Sequence, residues 1–140
     1  FVHDIIKEPP DFLEGFIDVV VTEGWLGPAR TTTPLPREAE EVFRKVQNLL
    51  SKLFQSAERA LKSSGRIVIT LPAFRVKKRL LHFPLESFRM SGWKQEPLVP
   101  DVWRDTPLFR EAHRGTLLYG RPDAIVLREV VRFTRGHTKA

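Results

Sequence analysis

Between Arg37 and about Lys62, the apolar residues Ala39, Val42, Phe43, Val46, Leu49, Leu50, Leu53, Phe54, Ala57, Ala60 and Leu61 recur at steps of three and four. That spacing predicts a helix with one apolar face, and such a helix must lie against another layer of structure. Pro36 suits its first turn, Glu38, Glu40 and Glu41 complement its positive end, and Ser63-Ser64-Gly65 is expected to close it. Two β-branched runs flank it. Phe16 to Thr22 (FIDVVVT) is the kind of segment that strands buried on both faces of a parallel sheet require, and Arg66 to Pro72 (RIVITLP) follows directly after the glycine. Strand, helix, strand in this order implies a right-handed parallel crossover.

The remaining chain is read more coarsely. Val2 to Ile6 is a short apolar run ended by Pro9-Pro10, and Gly24 to Pro36, with its prolines and three threonines, must be a long loop. Phe74 to Arg89 is expected to be a helix broken at Pro84, with Arg75, Lys77, Lys78 and Arg79 as a basic stretch. Trp93 to Val99 is a weaker strand, Pro100 to Arg114 is irregular, Asp123 to Phe133 is a good last strand, and Arg135 to Ala140 is expected to be a frayed, flexible tail. The pattern describes one α/β domain over residues 1–140, and specifically one half of a doubly wound sheet, with the other half expected upstream. The chain begins Phe1-Val2-His3-Asp4 without an initiator methionine, which fits a fragment.

Composition narrows the chemistry. With no cysteine, thiolate zinc sites, cysteine nucleophiles and disulfides are all excluded. The four histidines, His3, His82, His113 and His137, lack the close spacing of a metal site, so no metal is assigned. No serine stands in a G-x-S-x-G setting and no G-x-x-x-x-G-K-[ST] loop is present, which removes the usual support for hydrolases and nucleoside triphosphatases. A net charge of +6 suits a polyanion such as nucleic acid. No stretch approaches the roughly 20 apolar residues of a membrane span, and there is no signal-peptide pattern, so a soluble, cytoplasmic protein is expected.

In open α/β sheets ligands sit outside the carboxyl ends of the strands, which singles out His3-Asp4-Ile5, Thr22-Glu23-Gly24-Trp25 and Pro72-Ala73-Phe74. The second is the most informative. A carboxylate can accept from an amino group, a glycine lets backbone approach a planar ligand, and an aromatic ring offers a stacking face. The bland alternative makes Glu23 a solvated loop residue and Trp25 a cap on the core. Asp4 could meet the amino edge of an adenine or act as a helix N-cap. The basic stretch could contact phosphates or be a solvated helix face.

Taken together, "HDI", "IDVVVTEGWLGP", the long helix, "GRIVITLPAFR" and "LLYGRPDAIVLREVVRF" resemble the C-terminal half of a class I S-adenosylmethionine-dependent methyltransferase. The likeness is to the RNA methylases that include tRNA guanine-N2 methyltransferases, whose longer members carry a THUMP domain. The resemblance implies a Rossmann-like, mostly parallel sheet with an antiparallel last strand. Where that family has D/N-P-P-Y/F, or glutamate, proline, tyrosine and a leucine-glycine-proline run, this chain has Glu23, Gly24, Trp25 and then Leu26-Gly27-Pro28. Carried over, Glu23 accepts a hydrogen bond from the exocyclic amine of the target base and Trp25 stacks on it. Asp4 contacts the adenine amino group of S-adenosylmethionine and Ile5 packs on that ring. Arg75, Lys77, Lys78 and Arg79 face RNA, with tRNA the implied partner, while Arg121 and Arg128 are structural or RNA-facing.

Two departures stand out. Gly24 replaces the family's proline, and neither the glycine-rich donor loop nor the later acidic residue that holds the ribose is present in these 140 residues. The chain alone is therefore expected to bind the donor weakly or not at all and to be inactive without the missing half, supplied in cis or by a partner chain. The rival readings are a non-catalytic half-domain or basic RNA-binding module, and a decayed pseudoenzyme.

Overall fold

A computed structural model describes residues 7, 9–88, 92–106 and 114–135. After a single 3-10 turn at Asp11–Leu13, the elements are β1 (Ile17–Glu23), α1 (Pro36–Ala60), β2 (Leu61–Val76), β3 (Arg79–His82), β4 (Trp93–Glu96), α2 (Asp101–Arg104), β5 (Leu117–Tyr119) and β6 (Val126–Arg135). They form a mixed α/β fold around one six-stranded sheet, with main order β1-β2-β6-β4, β3 on β2 and β5 on β6.

The predicted crossover is present: β1 and β2 pair in parallel, joined by α1. The last strand, β6, lies antiparallel between β2 and β4, so β4 runs in the same sense as β1 and β2. Pro36 occupies the start of α1, and Glu38 reaches back so that its Oε2 accepts from the Leu35 amide at 2.7 Å.

The apolar stripe of α1 packs on one face of the sheet. Phe54 is the centre of that contact, with its ring centroid 5.0 Å from Phe133, 5.1 Å from Trp93 and 5.5 Å from Phe88. Ile67, Ile69 and Leu71 of β2 and Val131 of β6 are buried beneath the same helix face. Truncating so enclosed a ring as Phe54 to alanine costs about 3–5 kcal/mol.

Four expectations need correction. The helix does not run to Lys62 or stop at Ser63-Ser64-Gly65. Leu61 is already extended and pairs with Ile17, and the next paired positions are Val19 with Arg66. While β1 advances two residues β2 advances five, so residues 62–65 bulge out. A Cβ at Gly65 would lie 2.8 Å from both Leu61 Cβ and the Lys62 carbonyl oxygen, so the glycine serves a tight bulge instead of a helix stop.

The segment from Phe74 is no helix. β2 continues to Val76, turns at Lys77-Lys78 and returns as β3, with Lys77 at φ +55° supplying the left-handed turn residue. Pro72, Ala73 and Phe74 are consequently buried strand interior and do not form a strand-end site.

Third, β1 is not buried on both faces. Val19 is 43% and Val21 74% exposed, because β2 is the one strand beside it among the described residues and α1 covers one side alone. Finally, the stretch expected to be irregular contains α2, Leu117–Tyr119 is a strand that the sequence patterning does not reveal, and Arg135 belongs to β6 instead of a tail. Residues 136–140 lie outside the described residues.

Candidate functional site

Glu23 is the last residue of β1, delivered to the carboxyl end of the parallel pair by register with Thr70 of β2. Its half-exposed carboxylate accepts from Arg128 of β6, Nε to Oε1 at 2.7 Å. Arg128 lies opposite Pro72 on β2, so its side chain reaches back across the middle strand to close the end of β1. Among the described residues Oε2 of Glu23 has no partner.

Gly24 extends the ladder by one more bond: its amide donates to the Thr70 carbonyl at 3.1 Å. A Cβ here would meet that same oxygen at 3.0 Å, and a proline would have no N–H to give it. The glycine that departs from the family's proline thus has a local physical role.

Beyond Gly24 the chain leaves the strand. Trp25, 41% exposed, lines a groove of about 160 Å³ together with Glu23, Gly24, Leu49, Leu50 and Leu53. This groove lies against α1, whereas Arg128 points to the opposite side of the sheet from its neighbour Glu129, which is buried in the core. Glu23 and Trp25 thus both border this groove, and the Glu23 carboxylate is in addition bonded to Arg128.

Sequence patterning alone did not single out a second carboxylate. Glu129 is fully buried in β6 and receives Thr116 Oγ1 at 2.6 Å and His82 Nδ1 at 3.0 Å, with Arg114 Nε 3.3 Å away as an ion pair. Burial opposes its charge, but the bonds from His82 and Thr116 and the Arg114 guanidinium outweigh burial and hold its pKa below the ordinary 4.5. An ionised carboxylate only accepts, so His82 carries its proton on Nδ1. The sequence signal was available in "IVLREVV": two consecutive charges in an apolar strand must face opposite sides, and the inward one needs partners.

Of the basic stretch, Arg75 is occupied, its Nε bonded to the Ala124 carbonyl at 3.3 Å, while Lys77, Lys78 and Arg79 are exposed at the hairpin tip. Asp4 and Ile5 lie outside the described residues. The described residues do not fit a whole S-adenosylmethionine: they present no glycine-rich turn after a strand, and the groove beside Glu23 falls below the roughly 300–1,000 Å³ usual for ligand pockets. No group of three potential metal ligands occurs among them, and no described helix is long and apolar enough to cross a membrane.

No family model and no curated protein matches the chain. Among solved structures it is similar to a putative DNA modification methylase from Thermus thermophilus, at 20% identity and a TM-score of 0.49, covering 99% of this chain and 55% of that one. The selenomethionine derivative of that protein gives 18% identity and a TM-score of 0.43 over 91% of this chain and 49% of the other. The chain spans about half the length of these structures.

Proposed function

We propose that this chain is the acceptor-binding half of a cytoplasmic, S-adenosylmethionine-dependent N-methyltransferase acting on an exocyclic amine of a nucleobase, with guanine N2 in tRNA as its target. The observation that carries the reading is Glu23: a carboxylate at the carboxyl end of a parallel strand, held through one oxygen and with the other unpartnered among the described residues. An amine N–H donating to Oε2 would be oriented by an acceptor that is itself fixed, which is what positioning an amine demands.

Three features support the rest of the proposal. The antiparallel last strand between β2 and β4 is what the class I resemblance implies. The free edge of β1 among the described residues and its exposed valines fit a sheet that continues into a donor-binding half, in cis or from a partner chain, since parallel strands are normally covered on both faces. The hairpin tip with Lys77, Lys78 and Arg79 stands six residues beyond the level of Glu23, or roughly 20 Å at about 3.3 Å per residue, where RNA backbone could lie while a base reaches the strand end.

The test is methyl transfer from labelled donor to tRNA by the full-length gene product, followed by nucleoside analysis. The reading expects label in N2-methylguanosine; absence of transfer to any base amine refutes it. A second reading, a non-catalytic RNA-binding half-domain, is favoured by the amide of Gly24 being tied to Thr70 where the family has proline. It expects RNA binding without transfer even when a donor-binding half is supplied.

A further inference from the structure

Resting on the nucleic-acid part of that reading, we infer that the β5–β6 turn and the β2–β3 turn form one cationic rim for a phosphodiester backbone. Arg121 is its second anchor, beside Lys77, Lys78 and Arg79. Sheet order places the two turns side by side. Ala73 of β2 pairs with His82 of β3 on one edge and with Leu127 of β6 on the other, while Arg128 of β6 pairs with Pro72 of β2 and Tyr119 of β5. The order at this end is therefore β3-β2-β6-β5, two adjacent hairpins whose midlines lie two strand spacings, or about 10 Å, apart.

The hairpins also end at one level. The last β2–β6 pair is Phe74 with Val126, and just beyond it the Arg75 amide donates to the Ile125 carbonyl at 2.8 Å. From that bond β2 reaches its turn two residues on, at Lys77. On the other hairpin the turn is closed by the Ala124 amide, which donates to the Arg121 carbonyl at 3.0 Å. Arg75 ties the two together a second time, since its Nε donates to the Ala124 carbonyl at 3.3 Å. Its guanidinium is thus a brace that sets the spacing of the turns, and the cations of the rim itself are the four on the turns.

Most exposed cations are simply solvated. Those at the opposite end of the sheet show the ordinary arrangement, with Arg59 paired to Asp11, Lys62 to Asp18 and Arg135 to Glu58. At the rim, Lys77, Lys78 and Arg79 have no acidic partner among the described residues. Arg121 has Asp123 at 3.9 Å, but the two side chains are 85% and 80% exposed, and water screens such a pair. Glu23 and Glu129 are already engaged, by Arg128 and by Arg114 with His82. Cations in such excess, on two turns held at a fixed spacing, present a positive edge that a polyanion can bridge.

The probe is a short oligouridylate, which has no guanine and no exocyclic amine, titrated against the chain over a range of salt concentrations. Its binding does not depend on what Glu23 does. Each phosphate contact on a single strand contributes about 0.7 to the salt slope. Arg121→Ser should lower the slope by about 0.7, and joining it to Lys77→Ser, Lys78→Ser and Arg79→Ser should lower it by about 2.8. Arg75→Met should weaken binding and leave the slope unchanged, because a spacing is lost and no phosphate contact. Lys62→Ser, at the other end and paired with Asp18, should change neither. Oligothymidylate of the same length should give the slope of the RNA. An Arg121→Ser slope equal to wild type overturns the inference, and so does a Lys62→Ser slope lowered as far as that of Arg121→Ser, since binding is then a diffuse effect of net charge. A lowered slope in Arg75→Met makes that residue a contact and removes the brace. Binding of the RNA without the DNA overturns the inference as well, because the ribose hydroxyl is then what is read. If oligouridylate does not bind, the rim falls and the acceptor reading keeps its own methyl-transfer test. Expected slopes without methyl transfer remove the acceptor reading and leave the rim.

Discussion

Arg128 and Glu129 are neighbours in β6, yet each makes its ion pair on a different side of the sheet. Glu129 faces inward and is closed in by His82, Thr116 and Arg114. Arg128 faces outward and meets Glu23 at the rim, with both side chains about half exposed. The chemistry is the same and the consequences differ. In the interior, desolvation makes any unpaired group costly, so Glu129 must be satisfied completely and is structural. At the rim water screens the pair, its stability value is small, and an incompletely satisfied carboxylate can persist to meet a ligand.

The largest effect that can break this contrast is Glu129→Ala. Removing the buried partner strands Arg114, His82 and Thr116 and should cost about 3 kcal/mol, read as a lower denaturation midpoint. If the cost is below about 1 kcal/mol, the interior site is not the structural one.

The same group carries a pH signature. Its folded pKa lies below its ordinary 4.5, so its contribution is present above that value and is lost as the pH falls through the folded pKa. Urea midpoints should therefore drop below about pH 4.5 in the wild type, and that drop should be smaller in Glu129→Gln.

Gly24→Pro should cost about 1 kcal/mol through loss of the amide bond to Thr70, and hydrogen exchange should show β2 less protected near that residue. The smallest stability effect belongs to Lys77, Lys78 and Arg79 replaced together by serine: within about 0.5 kcal/mol. The same variant should lower the salt slope of RNA binding by roughly 2, as three fewer phosphate contacts on single-stranded RNA would. An unchanged slope makes the hairpin tip a plain solvated turn.

The long helix and the parallel pair were legible in the sequence because both rest on simple periodicities: three to four for α1, and unbroken β-branching for β1 and the core of β2. The hairpin was not. Val76-Lys77-Lys78-Arg79 contains no glycine or asparagine to mark a left-handed turn, and Leu80 and Leu81 after the basic residues look like the start of a helical stripe. Ser63-Ser64-Gly65 marks a true break near the end of α1, but the fold uses it for a bulge. Of the site, Glu23 and Gly24 were legible as the end of a strand. The partner of Glu23 was not, because Arg128 lies 105 residues away and meets it through sheet order alone.

The central claim is that the end of β1 holds the acceptor amine through Glu23. Its most direct test compares wild-type full-length protein with Glu23→Ala in methyl transfer to tRNA, with donor affinity measured in parallel. Turnover lost with donor affinity and denaturation midpoint nearly unchanged is the predicted result. Equal turnover in the two proteins would contradict the claim and leave Glu23 as a surface partner of Arg128.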